Sequence, residues 1–329
     1  MPTVHSDETP GRFSAENDSL LERFCVPLLL GGQNPDGGWG YRRDAPSSVE
    51  ATSWALLALL GLQKSAQVEQ ATRSGLDWLL RVQLADGSWP AFAGLPQGCW
   101  VTAPATLALF THKQSSEHIS RGLQWLCKCR PAEGGWLWRL RERFLKHGIV
   151  VRQDSSLKGW SWTPGTASWV EPTCYSLIAL RHISKELHPP EAPERMQLAE
   201  KMLLDRACPQ GGWNSGNPLV YGAAGIPRVG PTAWALLALL DFPDGTKIRE
   251  SLEWLEQFYP RIEGPASLSL AHLCLVAHER PMPPLEPALA ALSLNNHFFD
   301  DILATAWAVI ALRSEPEWLR NGNTQRTSV

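Results

Sequence analysis

Two glutamates stand two residues ahead of a threonine that opens an unusually apolar stretch, in Val49-Glu50-Ala51-Thr52 and Val170-Glu171-Pro172-Thr173. A carboxyl at the mouth of an apolar cavity is kept protonated by desolvation and can give its proton to an alkene or a leaving group. Glu171 is the first candidate for such an acid and Glu50 the second. Pro172 suits the first turn of a helix, and Trp160, Trp162 and Trp169 precede Glu171 closely enough to exclude water above it. The plainer alternative stays open, because a first-turn glutamate also complements the helix dipole. Trp54, Tyr175, Trp234 and Trp307 lie inside the apolar stretches, and their faces could stabilise a carbocation or hold an apolar molecule. Before the last stretch, His297, Asp300 and Asp301 could face a cavity or cap a helix.

The elements that must position these residues are repeats. Thr52-Ser-Trp-Ala-Leu-Leu-Ala-Leu59 recurs as Thr173 to Leu180, Thr232 to Leu239 and Thr305 to Leu312, with weaker copies from Thr102 and Ala266. Apolar on every face, these segments predict buried helices, each with Thr as a cap or first-turn residue. Small residues three apart, such as Ala55 and Ala58 or Ala235 and Ala238, let neighbouring helices approach closely. Amphipathic stretches alternate with them, as in Leu76, Leu79 and Leu80 with charges opposite. The chain reads as amphipathic helix, turn and buried helix, six times over.

The turns carry their own signature. Gln33-Asn-Pro-Asp-Gly-Gly-Trp39 and Gln83-Leu-Ala-Asp-Gly-Ser-Trp89 share Gln, Gly and Trp in register, and Gly134/Trp136 and Gly211/Trp213 keep part of it. Glycine makes the tight turn, Gln can bond loose backbone groups at a helix end, and Trp can stack there. These tryptophans are expected to be structural staples.

Residues 73–89 and 232–239 together resemble the repeats of squalene–hopene and oxidosqualene cyclases, and the chain looks like the stand-alone bacterial prenyltransferase and squalene oxidase repeat proteins. The resemblance implies an all-α (α/α)6 toroid of six inner and six outer helices around a central cavity. It implies an irregular N-terminus over 1–17, one barrel over 18–313 with a long loop at 137–169, and a flexible tail over 314–329. The family's proton donor sits where Glu50 and Glu171 stand, two before the Thr. In the nearest match to the family's acid motif, Asp301-Ile-Leu-Ala-Thr-Ala306, Leu303 occupies that position. The expected ligand is an apolar isoprenoid, held by Trp54, Trp160, Trp162, Trp169, Tyr175, Trp234, Trp307, Asp300 and Asp301. Two readings follow: a cyclase- or isomerase-like enzyme, or a non-catalytic lipid-binding or partner subunit.

Composition narrows the rest. With 30 basic and 33 acidic residues the net charge is −3, which does not suggest a nucleic-acid partner. The 7 cysteines form no framework and predict reduced thiols in a cytoplasmic protein. Cys127 and Cys129 with His112 and His118 fit no zinc spacing, so no metal is expected, and no nucleotide fingerprint calls for a cofactor. No segment has the apolar core of a signal peptide or the length of a membrane span. The 137–169 loop, rich in tryptophan and carrying Arg139, Arg141, Arg143, Lys146 and Arg152, could be a lid or a peripheral membrane contact.

Overall fold

The computed structural model describes residues 19–63, 65–134, 154–220, 222–242, 245–296, 301–313, 316, 318 and 319. Among them are twelve α-helices. Six are inner: α2 (Val49–Leu59), α4 (Thr102–Thr111), α6 (Val170–Leu187), α8 (Val229–Ala238), α10 (Pro265–Ala277) and α12 (Ile302–Leu312). Six are outer: α1 (Val26–Gly31), α3 (Ala66–Val82), α5 (Ser116–Lys128), α7 (Ala192–Asp205), α9 (Thr246–Phe258) and α11 (Leu285–Asn296). Each inner helix packs against the next, and α12 packs against α2, so the ring closes. The outer helices α3, α5, α7, α9 and α11 each back the inner helix before them, while α1 backs α12. This is the (α/α)6 toroid. The single sheet among the described residues is a two-stranded hairpin, β1 (Leu219–Val220) with β2 (Ala223–Ala224).

The inner helices are apolar all round because both flanks and the axial face are covered. Ala55, Ala58, Ser176, Ala179, Ala235, Ala238, Ala308 and Ala311 are all buried, which is what lets the six helices stand side by side. Caps fix their entries: Ser48 Oγ accepts from the Ala51 N–H at 3.1 Å, and Asp301 Oδ1 from the Ala304 N–H at 2.9 Å. The repeated threonine lies in the first turn, one of the two places expected of it, and its hydroxyl serves a turn rather than the cap. Thr52, Thr102, Thr173 and Thr232 each accept, through Oγ1, the backbone N–H of a turn tryptophan at 2.9–3.0 Å.

Those tryptophans are the staples. Trp39, Trp89, Trp160 and Trp213 each donate the indole N–H to a carbonyl of the preceding outer helix, at Leu29, Leu79, Leu126 and Leu203 respectively, at 2.6–3.0 Å. One side chain thereby joins an outer helix, a turn and an inner helix. Gln33 and Gln83 reach sideways, each donating to its own turn glycine carbonyl and to a carbonyl of the next outer helix, Ala71 or His118. Two glycines make the fit. At Gly87, φ is +91° and a Cβ would stand 2.6 Å from the Arg121 carbonyl. At Gly122 a Cβ would meet the Trp89 ring at 2.8 Å.

The third turn corrects the sequence reading. Its staple is Trp160, expected to face a ligand, while Trp136, expected to be the staple, lies outside the described residues. The separation from staple to carbonyl partner is 10 residues in the other turns and 34 here, so 34 − 10 = 24 extra residues enter the turn without displacing its tryptophan. Arg195 holds the returning chain, with its guanidinium 4.0 Å above the Trp160 ring and a bond to the Gly159 carbonyl at 3.0 Å. The basic residues Arg139 to Arg152, with Trp138, lie outside the described residues.

At the opposite end, side chains tie the carboxyl ends of the inner helices together. His112 bonds the Leu56 carbonyl, Arg181 that of Ala238, His278 that of Leu236, and Arg313 those of Leu60 and Gly61. The last contact spans the seam between the final and the first inner helix. Trp318 and Leu319, which the sequence reading put in a flexible tail, are 2% and 7% exposed. No helix among the described residues is long and apolar enough to cross a membrane. All seven cysteines are free thiols.

Candidate functional site

The first turns of the inner helices converge on one rim, where α2 presents Glu50, α6 presents Glu171 and α12 begins at Asp301. Glu50 is the more perturbed carboxyl. The Tyr41 hydroxyl donates to its Oε2 at 2.5 Å. Tyr41 is set by the seam, since its carbonyl accepts the Ile302 N–H at 2.9 Å. Burial pushes the Glu50 carboxyl up to about 7, the charge of Asp301 adds to that, and the Tyr41 hydrogen bond opposes it. Burial and the Glu50 charge push the Tyr41 phenol up as well, so Tyr41 remains a donor. The Cys99 thiol is raised mainly by burial, with Glu50 contributing.

Glu171 has a quieter setting. Its Oε1 accepts from the Ser215 hydroxyl at 2.8 Å, while Oε2 is buried with no hydrogen-bond partner among the described residues. It is therefore not spread into solvent, and no arginine pairs with it among those residues. Burial first, then the charges of Glu50 and Glu171, raise the Tyr175 phenol far above its ordinary value, which places Tyr175 in the field of both carboxylates.

Tyr175 is one link in a column of rings. Trp162 meets Trp100 edge-on at 5.0 Å between centroids, and Trp100 stacks on Tyr175 at 5.2 Å. Tyr175 meets Trp234 at 4.6 Å, Trp234 meets Trp307 at 4.9 Å, and Trp307 meets Trp54 at 4.3 Å. Trp54 in turn faces Trp318 at 6.0 Å. The sequence reading expected Trp54, Tyr175, Trp234 and Trp307 to line an open cavity. They pack on one another, so that at that depth, among the described residues, aromatic side chains crowd the centre of the ring.

The register explains both levels. Counting from the repeated Thr, the position two before it holds Glu50, Trp100, Glu171, Gly230 and Leu303, and the position two after holds Trp54, Pro104, Tyr175, Trp234 and Trp307. Residues four apart share a helix face, so the first set forms the rim and the second the filled layer beneath it. At Gly230, which is partly buried, a Cβ would meet nothing within 4 Å, so the rim layer has room that the lower layer lacks.

The remaining candidates separate. Trp169 precedes α6 at the rim and is 37% exposed. Trp160 is a staple, not part of the column. Asp301 is occupied as the cap of α12, and Asp300 lies outside the described residues. Sequence reasoning missed Tyr41, Cys99, Trp100, Ser215 and Trp318; of these only Trp100 had a signal, the offset it shares with Glu50 and Glu171. Among the described residues no group of three or more His, Cys, Asp or Glu is placed to hold a metal.

A scan against protein-family models finds no match. Among curated proteins, human lanosterol synthase is 26% identical over 231 residues, covering 60% of this chain and 29% of its own length. A squalene–hopene cyclase of Bradyrhizobium diazoefficiens is 26% identical over 235 residues, covering 64% of this chain and 32% of its own. The chain thus matches only 29–32% of the length of these relatives. Among solved structures, cellobiose 2-epimerase from Spirochaeta thermophila superposes with a TM-score of 0.57 at 13% identity, covering 89% of this chain and 94% of that one, a likeness of fold alone. In sequence the chain is squalene-cyclase-like, and in architecture it is a toroid.

Proposed function

We propose that the protein binds an apolar isoprenoid at the rim, over the aromatic column, and that Glu50 is the acid that starts its cyclisation or isomerisation. One observation carries this reading: a carboxyl raised to about 7 stands at the head of an inner helix beside the column. The proton rides on Oε1, since Oε2 accepts from Tyr41. Transfer to an alkene carbon uses the π electrons to form the new C–H bond and leaves a carbocation. Aromatic faces stabilise that cation, and the Tyr41 hydrogen bond steadies the carboxylate left behind. Loss of a proton from the final cation to the Glu50 carboxylate restores the acid and completes the cycle. Similarity to proteins named as a lanosterol synthase and a squalene–hopene cyclase supports the substrate class.

A second reading, binding without turnover, is favoured by the packed layer of rings and by Leu303 at the family's donor position. Incubation with squalene, 2,3-oxidosqualene and geranylgeraniol, with products read by mass spectrometry, separates the two. We expect Glu50→Gln to lower turnover by about 10²–10⁴-fold while ligand binding persists. Gly230→Leu should fill the rim space and weaken binding. Binding with no turnover by the unmodified protein would leave the carrier reading standing, and no binding at all would end both.

Phe92, Leu95, Trp169 and Ile226 are exposed apolar residues flanking the rim, which supports entry of the substrate from a lipid surface. Replacing Trp169 and Ile226 by serine should slow uptake of vesicle-borne substrate and leave uptake from detergent unchanged. Equal losses from both sources would count against a lipid-facing entrance.

A further inference from the structure

The carboxyl end of the ring is closed by Trp318 and Leu319. They line a cavity with Ile178, Arg181 and His182 of α6 and with Leu237 and Leu240 at the end of α8. The contact differs in kind from the staples. Each staple tryptophan has its indole N–H bonded to a carbonyl. The Trp318 indole N–H is buried with no hydrogen-bond partner among the described residues, and so is that of Trp54, which it faces. A buried donor without an acceptor is unfavourable. Among the described residues the segment's backbone makes a turn of its own, from the Leu319 N–H to the Pro316 carbonyl at 2.9 Å, and no other hydrogen bond. Apolar contact therefore holds Trp318 in place, and such contact selects size and apolarity rather than an indole.

The polar wall of the seat is already committed. Arg181 bonds the Ala238 carbonyl at 2.6 Å and Glu200 at 2.9 Å, and its Nε lies 3.7 Å from Asp241. Among the described residues an anionic head group would find no unengaged guanidinium there, so the seat suits a neutral ligand.

We propose that this end of the ring is a second binding site for a neutral linear apolar chain, with Trp318 and Leu319 occupying it as a built-in ligand. Displacing them uncovers Trp54, which lies one turn along α2 from Glu50 and packs against Tyr175 and Trp234, so a chain bound here would reach the aromatic layer from the side opposite the rim. The proposal rests on the reading that the ring accepts an isoprenoid, but not on Glu50 as an acid.

Farnesol, a neutral prenyl alcohol, is the probe. In the unmodified full-length protein, saturating farnesol should speed hydrogen exchange at residues 316–319. Trp318→Ala should bind farnesol at least about tenfold more tightly, because the competing side chain is gone. Farnesol that binds without altering exchange at 316–319, or fails to bind, overturns the proposal. So does a folded Trp318→Ala protein with unchanged affinity; should that variant not fold, exchange in the unmodified protein decides. Gly230→Leu, which fills the rim space, must leave the exchange response intact. If that change abolishes it, farnesol sits at the rim and the second site is wrong, whereas lost turnover with the response kept bears only on the rim.

Discussion

Trp89→Ala will destabilise the protein by about 3–5 kcal/mol, the usual cost of emptying a buried aromatic site. Trp89 is fully buried, its indole N–H is held by the Leu79 carbonyl at 2.8 Å, and its ring fills the space against Gly122. Truncation therefore leaves a cavity between three separately anchored segments, α3, α4 and α5, and strands a carbonyl that had a partner. The site cannot collapse easily, because the Trp89 backbone stays fastened to Thr102 and Gln83 still clamps the turn to α5. Urea denaturation followed by circular dichroism gives the loss directly. A loss under about 1 kcal/mol, which belongs to an exposed site, would mean that the staple is ornamental. Ligand preference should stay unchanged, since Trp89 takes no part in the column.

Glu50→Gln will make the protein more stable at pH 8 and leave it nearly unchanged at pH 4. In the unfolded chain the carboxyl has its ordinary value near 4.5, and in the folded protein it is raised to about 7. Between those values the folded state holds a proton that the unfolded state has released. The contribution to stability is therefore fully present below about pH 4.5, falls as the pH rises through 7, and is gone above it. At roughly 1.4 kcal/mol per pH unit the penalty at pH 8 approaches about 3 kcal/mol, and the residue's partial exposure makes that an upper limit. Glutamine has no proton to lose and its carbonyl can still accept from Tyr41, so it escapes the penalty while keeping the bond. Stability measured at several pH values should show two curves that part between about pH 5 and 7. Parallel curves would show that burial does not hold this carboxyl neutral.

The two results probe different layers, and the sequence disclosed those layers unequally. The repeated Thr with an aromatic or small residue beyond it was legible because helical spacing is local. Glu50 and Glu171 stood out for the same reason, but their ranking did not. Sequence put Glu171 first, whereas Tyr41 and, across the seam, Asp301 act on Glu50, and among the described residues only Ser215 bonds Glu171. The third staple was readable in principle: Trp39, Trp89 and Trp160 all lie 13 residues before their threonine, and Trp136 does not. Contact of rings from four different helices at the axis depends on radius and tilt, which no spacing reports. Trp318 had no periodic partner in the chain and looked like tail.

Closure of the ring also sets a timetable. Arg313 reaches back 253 positions to the Leu60 carbonyl, and α12 must exist before α2 gains its second flank. At roughly 5–20 residues per second of synthesis, the first inner helix waits on the order of 10–50 s with an apolar side uncovered. The open arc is at every intermediate stage a stack with two adhesive ends, and an arc meeting another arc could continue the stack instead of closing. Nascent chains of this protein should therefore lean on holdase chaperones until the seam shuts, and after that have no edge to offer.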